Sequence, residues 1–126
     1  MTARVVHFEV PFDDSDRAYA FYREVFGWNL MPMPELDYTA VSTGPTNEQG
    51  MPTEPGYIGG GMTPRGDMVP APVITMQVDD IDKTLAMVED HGGSRAGDKI
   101  QVAEMGFAAY FRDTEGNLMG LWQNAG

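Results

Sequence analysis

The feature that most constrains this chain is that it is written twice. His7 and Val73 stand 66 positions apart, and the same offset carries Asp14 to Asp80, Arg17 to Lys83 and Gly27 to Gly93. Two copies are too few for a stacked solenoid, which needs about three repeats to bury a continuous core. The pattern therefore points to a duplicated module whose copies share one concavity. In the first copy, Arg4 to Glu9 reads as a strand and Asp13-Asp14-Ser15-Asp16 supplies capping side chains. Ala18, Phe21, Tyr22, Val25 and Phe26 then recur at helical spacing until Gly27 stops the helix. Trp28 to Met33, Tyr38 to Thr43 and Tyr57 to Met62 read as three more strands. The last is reached through a Pro/Gly-rich loop from Gly44 to Gly56, long enough to act either as a lid or as a mobile excursion.

The second copy repeats the order. Val73 to Val78 reads as strand, Asp79-Asp80-Ile81-Asp82 as cap, and Leu85, Val88 and their neighbours as a helix ended by Gly92-Gly93. Strands follow at Ser94 to Ala103, Gly106 to Arg112 and Asn117 to Gln123, with Asp113-Thr114-Glu115-Gly116 as the last turn. The expected fold is α+β, with tandem βαβββ modules forming a cup-shaped, partly open eight-stranded sheet. Module one spans 1–63, a linker 64–72, and module two 73–126, within a single domain. Side chains alternate across a strand, so Phe8, Val10, Ile74 and Met76 are expected against the helices, leaving His7, Glu9, Thr75 and Gln77 on the opposite, concave face.

Length and composition narrow the function. A chain of 126 residues buries roughly two thirds of its unfolded surface in one domain. No apolar run approaches the roughly twenty residues of a bilayer span, and the N-terminus lacks a signal-peptide core, so a cytoplasmic protein without membrane contact is expected. Nineteen acidic residues against eight basic ones give a net charge of -11, which repels phosphate backbones and makes nucleic acid an unsuitable partner. With Lys83 and Lys99 as its only lysines, the surface suits a high-salt environment as well as an ordinary acidic protein. There is no cysteine, so any metal would have to be held by His and carboxylates.

The doubled βαβββ order resembles the vicinal-oxygen-chelate superfamily, the glyoxalase, bleomycin-resistance and dioxygenase group, over nearly the whole chain. "HFEVPFDDSDRAYAFYREVFGW" opens one copy and "VITMQVDDIDKTLAMVEDHGG" the other, and "RDTEGNLMGLWQ" resembles the family's closing turn and strand. The fold alone leaves the reaction open. In metal-dependent members, a divalent ion is held by side chains on the first and last strands of each module. His7 matches the first-strand ligand. The resemblance places the others at Val73, at Gly120 in "LMGLWQ", and at Gly60 to within one residue, and none of these has a donor atom. One ligand of four survives, whereas a catalytic ion ordinarily takes three protein donors. No cofactor is expected, and a divalent ion would require a non-standard site built on His7 and Glu9.

His7 and Glu9 also form a candidate acid/base pair, weighed against a plain pocket histidine held by hydrogen bonds. Gly59-Gly60-Gly61 lacks the Lys-Ser/Thr ending of a phosphate loop. Gly60 and Gly120 are instead read as enlarging the concavity for a bulkier organic ligand, or as admitting a ligand or a neighbouring backbone closely. Trp122, Tyr57, Tyr110 and Tyr38 are its candidate aromatic walls, with Thr75 and Gln77 as polar contacts, while Trp28 is assigned to the core. His91 suits the end of the second helix. The expected function is binding of a small organic molecule without the usual metal. The alternatives are an enzyme of lyase, isomerase or dioxygenase type using His7 and Glu9, and an interaction module. The resemblance implies a homodimer.

Overall fold

A computed structural model describes residues 2–126 and carries nine strands and two α-helices among them. In chain order these are β1 (Arg4–Phe12), α1 (Ser15–Phe26), β2 (Asn29–Met33), β3 (Tyr38–Ser42), β4 (Gly59–Pro64), β5 (Val73–Gln77), α2 (Ile81–Asp90), β6 (Ser94–Arg95), β7 (Ile100–Val102), β8 (Gly106–Arg112) and β9 (Leu118–Asn124). The strand count exceeds the expected eight because the stretch from Ser94 to Ala103 is broken in two. Gly97, at φ 87°, turns the chain between β6 and β7, and each piece pairs separately with β8. The strand expected from Tyr57 begins only at Gly59.

The chain divides into two units, His7–Pro72 and Val73–Gly126, the latter joined by the first residues up to Val6. In the first unit the strands lie in the order β2, β3, β4, β1. β1 runs parallel to β4, and the other neighbours are antiparallel. Leu30, Val41 and Met62 form its buried core, and Phe8, Val10, Phe12, Ala18, Tyr19, Tyr22 and Trp28 pack around it. The Trp28 ring stacks on Tyr22 with centroids 4.6 Å apart, so this tryptophan has the core role expected of it. The helix stripe differs from expectation. Ala18, Tyr19 and Tyr22 turn inward, while Phe21, Val25 and Phe26 remain more than half exposed. At about 100° per residue, Phe21 lies well round the helix from Tyr22, whereas Val25 and Phe26 are on the Tyr22 side but in the last turn of the helix, which ends at Phe26.

In the second unit β9 lies between β5 and β8, parallel to the first and antiparallel to the second. Ile81 and Leu85 of α2 close a core with Ala109, Phe111 and Leu121, and Met76, Phe107 and Met119 border it. Ile74 points as the alternation requires but is 47% exposed. The reason is where the helix lies: α2 packs on β6, β8 and β9, and β5 is left uncovered at that point.

The duplicated caps are real capping interactions. Asp14 accepts from the Arg17 N–H at 3.0 Å, and Asp80, exactly one repeat further on, accepts from the Lys83 N–H at 3.1 Å. Each satisfies one of the orphan donors of a helix start. A second donor of α2, the Ile81 N–H, goes to the Gln123 side chain of β9 at 2.8 Å. Asp80→Ala is expected to cost about 1 kcal/mol, read as a lower urea midpoint with an unchanged slope. The helix stops are less alike. Gly27 ends α1 in the left-handed region, whereas α2 ends two positions earlier, with His91 as its cap and Gly92 at φ 99°. No helix among the described residues is long and apolar enough to cross a membrane.

Candidate functional site

Each unit has one sheet face covered by its helix and one free of it, and register decides which residues share the free face. In the first unit, the pairing of His7 with Gly59 and Glu9 with Gly61, and of Gly61 with Ala40 and Ala40 with Met31, puts these positions on one side. Tyr38 and Met33, opposite each other on β3 and β2, share that side. Gly60 does not. It pairs with Phe8 and Val41 on the helix side, so the expectation that it lines the free face is corrected by one residue in each direction, to Gly59 and Gly61.

His7 and Tyr38 are joined directly. His7 Nε2 and Tyr38 Oη are 2.8 Å apart, with the rings nearly parallel. Because β4 lies between β1 and β3, the phenol has to pass over β4 to make this bond. It passes over Gly61, where any Cβ would collide with the Tyr38 hydroxyl and ring. Likewise a Cβ on Gly60 would lie 2.6 Å from Phe8, and one on Gly120 would lie 2.6 Å from Thr75 Oγ1. These glycines therefore make room for neighbouring side chains, so that close approach and not open space is what their missing side chains serve. Sequence reasoning named Tyr38 only as an aromatic wall. The hydrogen bond to His7 joins residues 31 positions apart on strands that are not adjacent, and no local pattern signals it.

Glu9 is only 7% exposed and lies two residues from His7 on the same face. Burial holds the His7 imidazole below its ordinary value of 6.5, and the negative charge of Glu9 partly opposes this. The imidazole is therefore neutral at pH 7, able to accept a proton as well as to hydrogen-bond Tyr38. Below about pH 6.5 the unfolded chain binds a proton at His7 that the folded chain resists, so stability falls as pH drops through 6.5 towards the lower folded value, then levels off. Urea midpoints from about pH 7.5 down to about pH 5.5 should fall less steeply in His7→Gln than in the unsubstituted protein. Equal slopes would mean that His7 titrates like a solvent-exposed imidazole.

In the second unit, Thr75, Gly120 and Tyr110 form one row across β5, β9 and β8, and Gln77, Trp122 and Ala108 form the next. Five expected ligand-contact residues, Thr75, Gln77, Tyr110, Gly120 and Trp122, thus share the helix-free face of this unit. The Trp122 Nε1–H donates to Asn124 at 2.7 Å, and its ring lies over Gly106. Tyr57 belongs elsewhere. Its ring packs on Gly44, and its hydroxyl donates to the Pro45 carbonyl at 2.6 Å, bracing the 44–56 loop together with the Thr46–Pro52 bridge. A cleft of about 180 Å³ opens between the end of α2 and β8, lined by Val88, His91, Gly93, Phe111, Asp113 and Thr114, away from both helix-free faces. No three His, Asp or Glu side chains gather into a metal-holding group among the described residues.

Residues 4–44 match the family model described as bleomycin resistance protein-like N-terminal. A "Glyoxylase-like domain-containing protein" of Didymella fabae is 28% identical over 123 residues, covering 94% of this chain and 91% of that protein. A glyoxalase/bleomycin resistance protein/dioxygenase superfamily member from Vibrio splendidus 12B01 superposes with a TM-score of 0.61 at 15% identity, covering 98% of this chain and 99% of that one. In sequence over its first third, and in fold over its whole length, the chain is similar to proteins of the glyoxalase and bleomycin-resistance group. Methylmalonyl-CoA epimerase from Mycobacterium tuberculosis superposes with a TM-score of 0.63 at 13% identity, covering 97% of this chain and 88% of that one, a likeness of fold. The first unit has the expected βαβββ order, and the second has it with its second strand split into β6 and β7. Of the positions at which the resemblance expects metal ligands, His7 has its Nε2 on Tyr38, while Val73, Gly120 and the three glycines at 59–61 carry no donor side chain.

Proposed function

We propose that this protein binds a small organic molecule on the helix-free faces of its strands, without the divalent ion of the superfamily's metal-dependent members. The observation that carries the reading is the commitment of His7 Nε2 to Tyr38. The one imidazole standing at a family ligand position already has a partner, and the other positions supply no donors with which an ion could be shared. The faces offer instead what organic ligands use, namely a few fixed polar groups among Met31, Met33, Tyr110 and Trp122. Metal analysis of the purified protein, followed by a ligand screen read by tryptophan fluorescence, tests this. Responses to organic ligands should survive a chelator, and Trp122→Phe should remove part of them. Stoichiometric metal that is lost in His7→Ala would overturn the reading.

A second reading is an enzyme of lyase, isomerase or dioxygenase type working through His7 and Glu9. What favours it is a neutral imidazole beside a buried carboxyl, the arrangement of a general base with its orienting charge. Turnover of a bound molecule that disappears in His7→Gln while binding persists would separate it from binding alone.

A further inference from the structure

We propose that the outward face of α1 is the surface through which two copies of this chain pair, their helices antiparallel across a two-fold axis close to Phe21. No residue of the helix-free sheet faces takes part, so pairing and ligand binding stand or fall separately.

The helix carries more apolar surface than its core uses. Ala18, Tyr19 and Tyr22 turn to the sheet, and no residue of α1 is buried. Phe21, Val25 and Phe26 are 53, 57 and 59% exposed. Val25 stands one turn on from Phe21, and the Phe21 and Phe26 rings meet edge to face with centroids 6.1 Å apart, so the patch is continuous. It presents on the order of 300 Å² of apolar surface, a size at which a patch on a monomer is often functional. The fold does not ask for it: one repeat further on, α2 has Met87, His91 and Gly92 at these positions and still closes its core.

Charge names the occupant. Arg17 and Glu24 lie on one flank of Phe21, each within about 60° of it round the helix. They are separated by about 10 Å along the axis, and neither forms an ion pair within the chain among the described residues. A two-fold axis perpendicular to the helix, midway between these two residues, sets the second helix antiparallel and keeps each residue on its own flank. Arg17 of one copy then faces Glu24 of the other, twice, with the two Phe21 rings beside the axis, a self-complementary contact. A lipid surface suits the face less, since Arg17 and Arg23 are matched by Asp16 and Glu24 on α1 and the net charge of -11 repels anionic membranes. The contact is at the small end for specific pairs, which corresponds to a dissociation constant of about 10 to 100 μM.

Sedimentation velocity on the full chain from about 5 to 500 μM brackets that range, and the mass should rise from one chain to two across it. Phe21→Ser should weaken association by at least about thirtyfold, and because the side chain is exposed the fold is retained. Arg17→Glu and Glu24→Arg should each weaken it by about tenfold, since each sets like charges against one another twice. Mixed in equal amounts, these two variants should pair with each other, because every substituted position then meets an opposite charge across the axis. A loss of folding would not show that rescue, and neither would a contact of any other register. A protein that stays monomeric at every concentration overturns the pairing, whatever else binds the patch. A dimer untouched by Phe21→Ser, or mixed variants that associate no better than either alone, overturns this face and this axis and leaves ligand binding unaffected.

Discussion

Leu85→Ala is expected to lower the unfolding free energy by about 3 kcal/mol, and with it the thermal midpoint by roughly 10 °C. Leu85 is 1% exposed and sits on the inward side of α2 in a buried cluster with Ile81, Ala109, Phe111 and Leu121. Truncation removes the transfer energy of three carbons and leaves a cavity. Strand residues fixed by the β8–β9 ladder cannot collapse readily into it. The comparison is Met87→Ala on the outward side of the same helix, where the side chain is mostly exposed and the cost should stay within about half a kcal/mol. Calorimetry that finds the two variants equally stable would mean that α2 does not close this core.

A change of similar size is expected from adding a single methyl group. Gly106→Ala should cost about 2 to 3 kcal/mol, since the new Cβ would collide with the Gln123 carbonyl oxygen and come within 2.7 Å of the Trp122 ring. The obstacle is backbone of the paired strand β9, so relief requires the ladder itself to part. Gly61→Ala makes an instructive contrast. There the Cβ meets the far end of the Tyr38 side chain, which can swing aside. Its stability cost should therefore be smaller than that of Gly106→Ala, while the His7–Tyr38 bond is lost and the His7 imidazole signals change. A Gly106→Ala protein with an unchanged urea midpoint would refute the close approach of β8 to β9 at this point.

The two glycines also show where sequence reasoning stops. A glycine inside a strand says that something comes close, and at Gly60, Gly61, Gly106 and Gly120 something does. Its identity is set by partners 16 to 52 positions away, and by which face the register assigns. A local reading of Gly60 and Gly120 allows empty space as readily as a close neighbour. The structure puts Phe8 against the first and Thr75 against the second, and Tyr38 over Gly61. In the same way, alternation along β5 correctly separates Met76 from Thr75 but cannot say that α2 lies too far over β8 to cover Ile74.

The doubled sequence by itself determined that there would be two βαβ-type openings, each capped by an aspartate one repeat apart, and which strand positions face the helices. Capping and alternation are properties of neighbouring residues, so they can be read along the chain. Only the tertiary structure decided the chemistry of the first unit's free face. The meeting of His7 with Tyr38 depends on β4 lying between β1 and β3 and on the absence of a side chain at Gly61. Strand order and cross-strand packing bring together residues far apart in sequence, and they exist only once the sheet has formed.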